Sequence, residues 1–292
     1  MQAINRQPRR EPEGAPVDYE RHRPEQTTLY RLVQQHAATF FEQAAATARA
    51  LGKALMVLEA APRLLQRSVS PELAAHVRAT HLAGDIDIRL NATLGDAAVL
   101  VDRLDALSVD GRRERVELLA MGVGAAPETR LARVCGLACD NCIAVDRSLR
   151  ASDPAILALG DCASFPAHDT ARRLRLESVQ NANDQARTAC ATLTGAPEPY
   201  RALPWFWSEQ GPMHLQMARL MPVDGVRHHW ASANPASFSL LHYADERLVC
   251  VESVNAPLDH MAARKLIDSR SSPDPLAACN PSRLLKQLVD AS

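Results

Sequence analysis

Two segments constrain the fold of this chain more than any others. Ser152-Asp-Pro-Ala-Ile-Leu-Ala-Leu-Gly-Asp-Cys162 contains a short apolar run, Ala155–Leu159, that ends in Gly160-Asp161. A buried strand ends this way when it delivers a carboxylate to the carboxyl edge of a sheet. Further on, Arg175-Leu-Glu-Ser-Val-Gln-Asn-Ala-Asn-Asp-Gln-Ala186 opens a helix with polar residues. The first N–H groups of that helix have no intrahelical acceptor and are available to an electron-rich ligand. Strand, glycine, acid and helix N-terminus belong to an α/β architecture.

Composition sets the outer limits. The chain has 292 residues, enough for more than one domain with its own core. With 47% hydrophobic and 23% charged residues it reads as globular. A formal net charge of −1 supplies no field to recruit nucleic acid or an anionic membrane. No stretch approaches a membrane span, and Met1–Arg10 lacks an apolar signal core. The seven cysteines are an odd number in a long chain, which fits a reducing cytoplasm better than a disulfide framework. Glycine is scarce: there are 12, and only Gly14 precedes Gly52.

Along the chain, Met1 to Gln26 is polar and rich in Pro and Arg, and is expected to be disordered. Leu29, Leu32, Val33, His36, Phe40, Ala44 and Ala48 recur near helical spacing and predict a helix over Thr27–Leu51. Lys53–Glu59 reads as a strand, and Pro71–Leu82 as a helix with Ser70 at its N-cap and Pro71 at its first position. Ile86–Leu90, Ala98–Val101, Ala106–Val109 and Val116–Ala120 read as strands, the last two joined through a turn at Asp110-Gly111. Ile143–Val145 and Ile156–Leu159 predict further strands, and Ser178–Leu193 a helix. The Pro-rich Gly195–Tyr200 marks a boundary. Beyond it, period-2 segments at Met213–Leu220, Phe238–Tyr243 and Arg247–Val254 are followed by a helix over Pro257–Ile267.

Several of these segments, in this order, resemble the FAD-dependent ferredoxin reductases of multicomponent oxygenases, the putidaredoxin reductase family. They are Leu51–Leu65, Met121–Pro127, Ser152–Cys162, Arg175–Ala186, Pro204-Trp-Phe-Trp-Ser-Glu-Gln210 and Val254–Leu266. The resemblance runs from about Ala44 to Leu288. It implies transfer of a hydride from NADH to FAD, then of single electrons to a small [2Fe-2S] ferredoxin or similar acceptor. Carried over by position, Gly160-Asp161 would meet the ribityl chain of FAD through Asp161. Val179 and Gln180 would face the flavin pyrimidine edge, where the positive end of the helix dipole favours the reduced ring. Trp207 would lie near the isoalloxazine or the electron exit, and Glu59 would take a ribose hydroxyl of NAD. The fold expected is α/β, with incomplete FAD- and NAD-binding Rossmann-like domains followed by a C-terminal α+β domain.

The chain departs from this pattern at its start. No Gly-x-Gly-x-x-Gly turn precedes Glu59, and Val33–Glu42, where such a turn should stand, contains no glycine. Arg21–His36 resembles instead the start of a rolling-circle insertion-sequence transposase. The expected organisation is therefore a leader over 1–26 and a transposase-like helix over 27–43, joined near Glu42–Ala44. A partial NAD-binding unit over 44–125, the remaining FAD-binding part over 126–199 and a reductase domain over 200–292 would follow. Loss of both glycine loops points to impaired activity, with a non-catalytic interaction domain as the alternative.

Other signals carry less. Cys135-x3-Cys139-x2-Cys142 has the spacing of an iron–sulfur or partial zinc site, but reads as a chance cluster in a loop. His228-His229 reads as a loop pair, and Trp205-Phe206-Trp207 as core that also serves the site. No Cys-x4-Cys pair is present, so electrons would leave the flavin singly rather than through a dithiol.

Overall fold

The computed structural model describes residues 28–33, 45, 47–100, 103–122, 126–167, 172–222, 225–231, 234, 236–275 and 285–289. The first seven strands are β1 (Thr28–Val33), β2 (Ala54–Glu59), β3 (Asp87–Leu90), β4 (Leu94–Leu100), β5 (Arg103–Val109), β6 (Arg112–Arg115) and β7 (Leu118–Gly122). Four of them form a parallel sheet in the order β3-β2-β1-β7, while β4-β5-β6 form a separate antiparallel sheet.

β1 corrects the helix expected over Thr27–Leu51. Thr28–Val33 is a central strand, pairing with β2 from Thr28 opposite Ala54 to Val33 opposite Glu59. On its other edge it pairs with β7, from Leu29 opposite Leu118 to Val33 opposite Gly122. A short run with Thr, Tyr, Leu and Val satisfies either period, and hydrogen bonding along both edges decides for the strand. Among the described residues, the expected segment is helical at Ala45 and over residues 47–50. The leader over 1–26, Thr27, residues 34–44 with the expected joint, and Cys279 lie outside the described residues.

β2 is buried on both faces, as a strand of a covered parallel sheet must be. Leu55 and Val57 pack into one core, and Met56 and Leu58 into another with Leu107, Val109 and Val116. The turn at Asp110-Gly111 is present, with φ of 50° and 77°. It joins Val109 to Arg112 and so pairs β5 with β6. The strand expected at Val116–Ala120 instead begins at Leu118 and crosses to the parallel sheet as β7.

Helix α1 (Pro71–Ala83) starts at Ser70, whose hydroxyl accepts the Leu73 N–H, with Pro71 at the first position. A short helix α2 (Arg130–Val134) leads to β8 (Ile143–Ala144), β9 (Ala163–Pro166) and β10 (Arg173–Leu174), and then to α3 (Val179–Leu193). These strands form the sheet β10-β9-β8. The strand expected at Ile156–Leu159 is absent; Leu157 makes only an isolated bridge to Arg150. Asp153 explains this: its carboxylate accepts the Ala155 N–H and its carbonyl the Ile156 N–H, turning the chain around Pro154.

The C-terminal strands are β11 (Trp205–Gln210), β12 (Met213–Ala218), β13 (Val226–Ala231), β14 (Phe238–Ala244) and β15 (Arg247–Val254). They form an antiparallel sheet in the order β11-β12-β15-β14-β13. His228-His229 lie within β13, opposite Leu241 and Leu240, rather than in a loop. Helices α4 (Pro257–Asp268) and α5 (Leu285–Val289) cover one face. The other face meets α1: Met213, Leu215, Met217, Phe238, Leu240 and Val254 share a core with Leu73, Ala74 and Val77. No helix among the described residues is long and apolar enough to cross a membrane.

Candidate functional site

The corner between Gly160 and α3 is specified residue by residue. Gly160–Cys162 forms a 3-10 turn directly before β9. Gly160 has φ of 73°, a conformation that L side chains rarely adopt, so glycine is needed here for its backbone. Its N–H donates to Gln185 Oε1 at 2.6 Å, and a Cβ on it would lie 3.8 Å from Ala182. The turn is thereby fixed against α3, and Asp161 is exposed on it.

Helix α3 opens on Ser178, whose Oγ accepts the Asn181 N–H at 3.1 Å while its carbonyl accepts the Ala182 N–H. Asn181 is held in turn by the Tyr200 hydroxyl and the Leu176 carbonyl. Burial pushes the Tyr200 phenol well above its ordinary range. Arg175 and Glu177 form an ion pair just ahead of the cap. Val179, in the first turn, is 74% exposed, and Gln180 is half-buried. The backbone donors of that turn therefore face an open side.

Glu59 and Trp207 stand elsewhere. Glu59 ends β2 beside Val33 at the end of β1, at the carboxyl edge of the parallel sheet. It is 5% exposed, and its Oε1 accepts the Ala61 N–H at 2.9 Å. This is where the acid of a nucleotide-binding βαβ unit is found. Trp207 lies on β11, 44% exposed and stacked on His214 with ring centroids 6.1 Å apart. Trp205, two residues earlier on the same face, is half-buried against His260 at 5.5 Å and beneath the Arg264 guanidinium at 4.6 Å. The structure thus joins Gly160, Asp161, Val179 and Gln180 at one corner, with Glu59 on a second sheet and Trp207 on a third.

Residues at the corner fit the isoalloxazine half of FAD. An uncovered helix N-terminus supplies donors, an exposed acid stands on the adjacent turn, and Gln185 Nε2 is buried with no acceptor among the described residues. Gln185 escaped the sequence reading; its signal was the buried i, i+4 spacing Asn181, Gln185, Ala189 in an otherwise polar helix. For the nicotinamide nucleotide, the chain between Val33 and Glu42, ahead of Glu59, offers no glycine to let a backbone approach a pyrophosphate. Among the described residues, no group of three or more His, Cys, Asp or Glu is placed to hold a metal.

Comparison with known proteins agrees with this arrangement. Residues 42–186 match the pyridine nucleotide-disulphide oxidoreductase family, and residues 205–289 match the reductase C-terminal family. Rhodocoxin reductase of Rhodococcus erythropolis is 38% identical over 255 residues, which is 85% of this chain and 58% of that protein. Putidaredoxin reductase of Pseudomonas putida is 32% identical over 86% of this chain and 60% of that protein. The crystal structure of a ferredoxin reductase from Rhodopseudomonas palustris superimposes with a TM-score of 0.85 at 35% identity. It covers 91% of this chain, and this chain covers 65% of it. Putidaredoxin reductase in its covalent complex with putidaredoxin gives the same TM-score at 29% identity. The chain spans about three fifths of the length of the curated relatives. With a parallel nucleotide-type sheet, the Gly160–α3 corner and the C-terminal sheet in the order of those relatives, the chain belongs to the pyridine nucleotide-disulphide oxidoreductases that carry a reductase C-terminal domain.

Proposed function

We propose that the chain is an NADH-linked, FAD-dependent ferredoxin reductase unit that delivers electrons to a [2Fe-2S] ferredoxin of an oxygenase system. The observation that carries this reading is the corner where Gly160, held by Gln185, presents Asp161 beside the uncovered first turn of α3. FAD supplies, when bound, the capacity to accept a hydride and to release electrons singly. Asp161 would accept hydrogen bonds from the ribityl hydroxyls, and the N–H groups of Val179 and Gln180 would hold the pyrimidine edge at the positive end of the helix. Glu59 takes the nicotinamide-side nucleotide by a ribose hydroxyl, which favours NAD over its 2′-phosphorylated form. Trp207, on the exposed face of β11, stands at the electron exit toward the ferredoxin.

With no glycine between Val33 and Glu42, binding of NADH is weak and turnover is impaired. The test is to incubate the purified chain with excess FAD, remove the free flavin and record the visible spectrum. Flavin bands bleached by NADH, and lost in the Asp161→Ala variant, are expected. A chain that stays colourless after incubation would overturn the reading and leave a non-catalytic interaction domain.

A further inference from the structure

We propose that Cys142 and Cys162 form an oxidisable thiol pair that a hydroperoxide closes to an intrachain disulfide. In sequence Cys142 belongs with Cys135 and Cys139, but the fold gives it a different neighbour. β8 and β9 run parallel with Ile143 opposite Ala163 and Ala144 opposite Ser164. Immediately before these paired residues stand Cys142, in the bend ahead of β8, and Cys162, the last residue of the 3-10 turn ahead of β9. Neighbouring strands lie about 4.8 Å apart, within the Cα separations of about 4.4–6.8 Å that a disulfide spans.

The two thiols adjoin one another at this end of the strand pair, Cys162 being among the groups that act on the Cys142 thiol. Ile143, Ala163 and Phe165 pack into the core that also holds Ala189 and Tyr200. The segment leading into α3 runs alongside β9 through β10. Arg173 donates to Ser164 Oγ at 3.1 Å and to the Val145 carbonyl at 2.7 Å, and Arg175 pairs with Glu177. Cys142 is buried, and burial raises its thiol pKa; the charged or titratable groups around it are Arg175, Cys162, Glu177 and Asp140. Cys162 is half-buried, its Sγ 3.4 Å from the Leu159 carbonyl. An accessible thiol and an enclosed one, side by side, divide the chemistry between them.

The Cys162 thiolate attacks the distal oxygen of a hydroperoxide. The O–O bond breaks, the proton released by the thiol leaves with the alcohol or water formed, and Cys162 becomes a sulfenic acid. Cys142 sulfur then attacks the sulfenic sulfur. The S–O bond breaks, water departs with the Cys142 proton, and the S–S bond closes. Two thiols lose two electrons in all, and the peroxide is reduced by two. The product ties the end of the Gly160–Cys162 turn to the start of β8, next to Asp161, and a thiol reductant reopens it. None of this chemistry requires a bound dinucleotide.

The test treats the full chain with hydrogen peroxide, alkylates the remaining thiols and maps tryptic peptides, since Arg147 and Arg150 separate the two cysteines. A Cys142–Cys162 linkage that dithiothreitol reverses is expected, with two thiols lost per chain. In Cys142→Ser, Cys162 should stop at the sulfenic acid and be captured by a cyclic 1,3-dione. In Cys162→Ser, Cys142 should remain reduced. A disulfide from Cys142 to Cys139 or Cys135, linkage only between chains, or oxidation of the exposed Cys135 and Cys190 with Cys162 untouched would overturn the proposal.

Discussion

Helices α1 and α3 begin alike and end up in opposite circumstances. Each opens on a serine whose hydroxyl accepts the N–H three residues on: Ser70 from Leu73, and Ser178 from Asn181. In front of α1 the fold has already placed an anion. Glu252, fully buried on β15, accepts the Ser70 N–H with Oε1 at 2.7 Å, while its Oε2 lies 2.8 Å from His242 Nε2. Ahead of α3 the acid Glu177 is taken up by Arg175, and Val179 in the first turn is largely exposed. The same cap chemistry therefore yields an internal tie at one helix and an open site at the other. A helix N-terminus is available to a ligand only where the rest of the chain has not filled it.

The largest expected effect tests the filled end. Glu252→Ala removes the acceptor shared by Ser70 and His242 and leaves both donors buried between α1 and the C-terminal sheet. Breaking a buried pair in this way costs about 3–5 kcal/mol. Denaturant unfolding should show that loss, with the contacts of α1 to the sheet weakened first. The tie from His81 Nε2 to Gln210 Oε1, 3.1 Å long, supports the same interface at the other end of α1. If Glu252→Ala unfolds with the wild-type midpoint, the anion in front of α1 is incidental and the contrast with α3 fails.

The next effect separates a paired buried imidazole from an unpaired one. His242 has Glu252, whereas neither ring nitrogen of His260 has a partner among the described residues. Burial, reinforced by the positive Arg264 and by His214, pushes the His260 imidazole down to about 4. The unfolded chain binds a proton near the ordinary value of 6.5, so between those values the unfolded state holds the extra proton. The neutral side chain therefore favours folding fully above pH 6.5, and this contribution is lost as pH falls toward 4. The displacement corresponds to about 3 kcal/mol. Asp259, raised by burial and bonded to Ser239, acts in the opposite direction, so the wild type must be compared with His260→Leu. The variant should lose the His260 part of the acid sensitivity. Parallel pH profiles for the two proteins would show that His260 takes up its proton without cost.

What was legible in the sequence follows the same division between local and tertiary codes. α1 and α3 were readable at their starts because Ser70-Pro71 and Ser178 carry the cap in their own side chains. The Asp110-Gly111 turn was readable because its left-handed backbone selects those residue types. β1 was not: Leu29, Leu32 and Val33 fit a helical period, and only the pairing with β2 and β7 makes them a strand. Ile156–Leu159 failed in the reverse sense, as an apolar run overruled by the turn at Asp153 and Pro154. At the site, Gly160, Asp161 and the start of α3 were visible as a motif. Gln185, which fastens the turn to the helix, and Glu252, which fills the mouth of α1, act across 25 and 182 positions and left no local mark.

The smallest effect on stability makes the most direct use of the contrast, by giving α3 the internal anion that α1 already has. Val179→Glu sets a carboxylate in the first turn of α3, where it favours the helix by about 0.3–1 kcal/mol. Thermal unfolding should move up by roughly 1–3 °C. The cost appears in ligand binding, because the new carboxylate meets the same N–H groups that would hold the flavin ring. Flavin retained after incubation should fall severalfold, while Val179→Gln, similar in size and uncharged, keeps the wild-type level. Salt distinguishes an electrostatic block from a steric one: the deficit of the glutamate variant should shrink as ionic strength rises, and a steric deficit would not. Equal flavin retention by both variants and the wild type would move the ring away from α3, and the two helix ends would then differ in burial without differing in function.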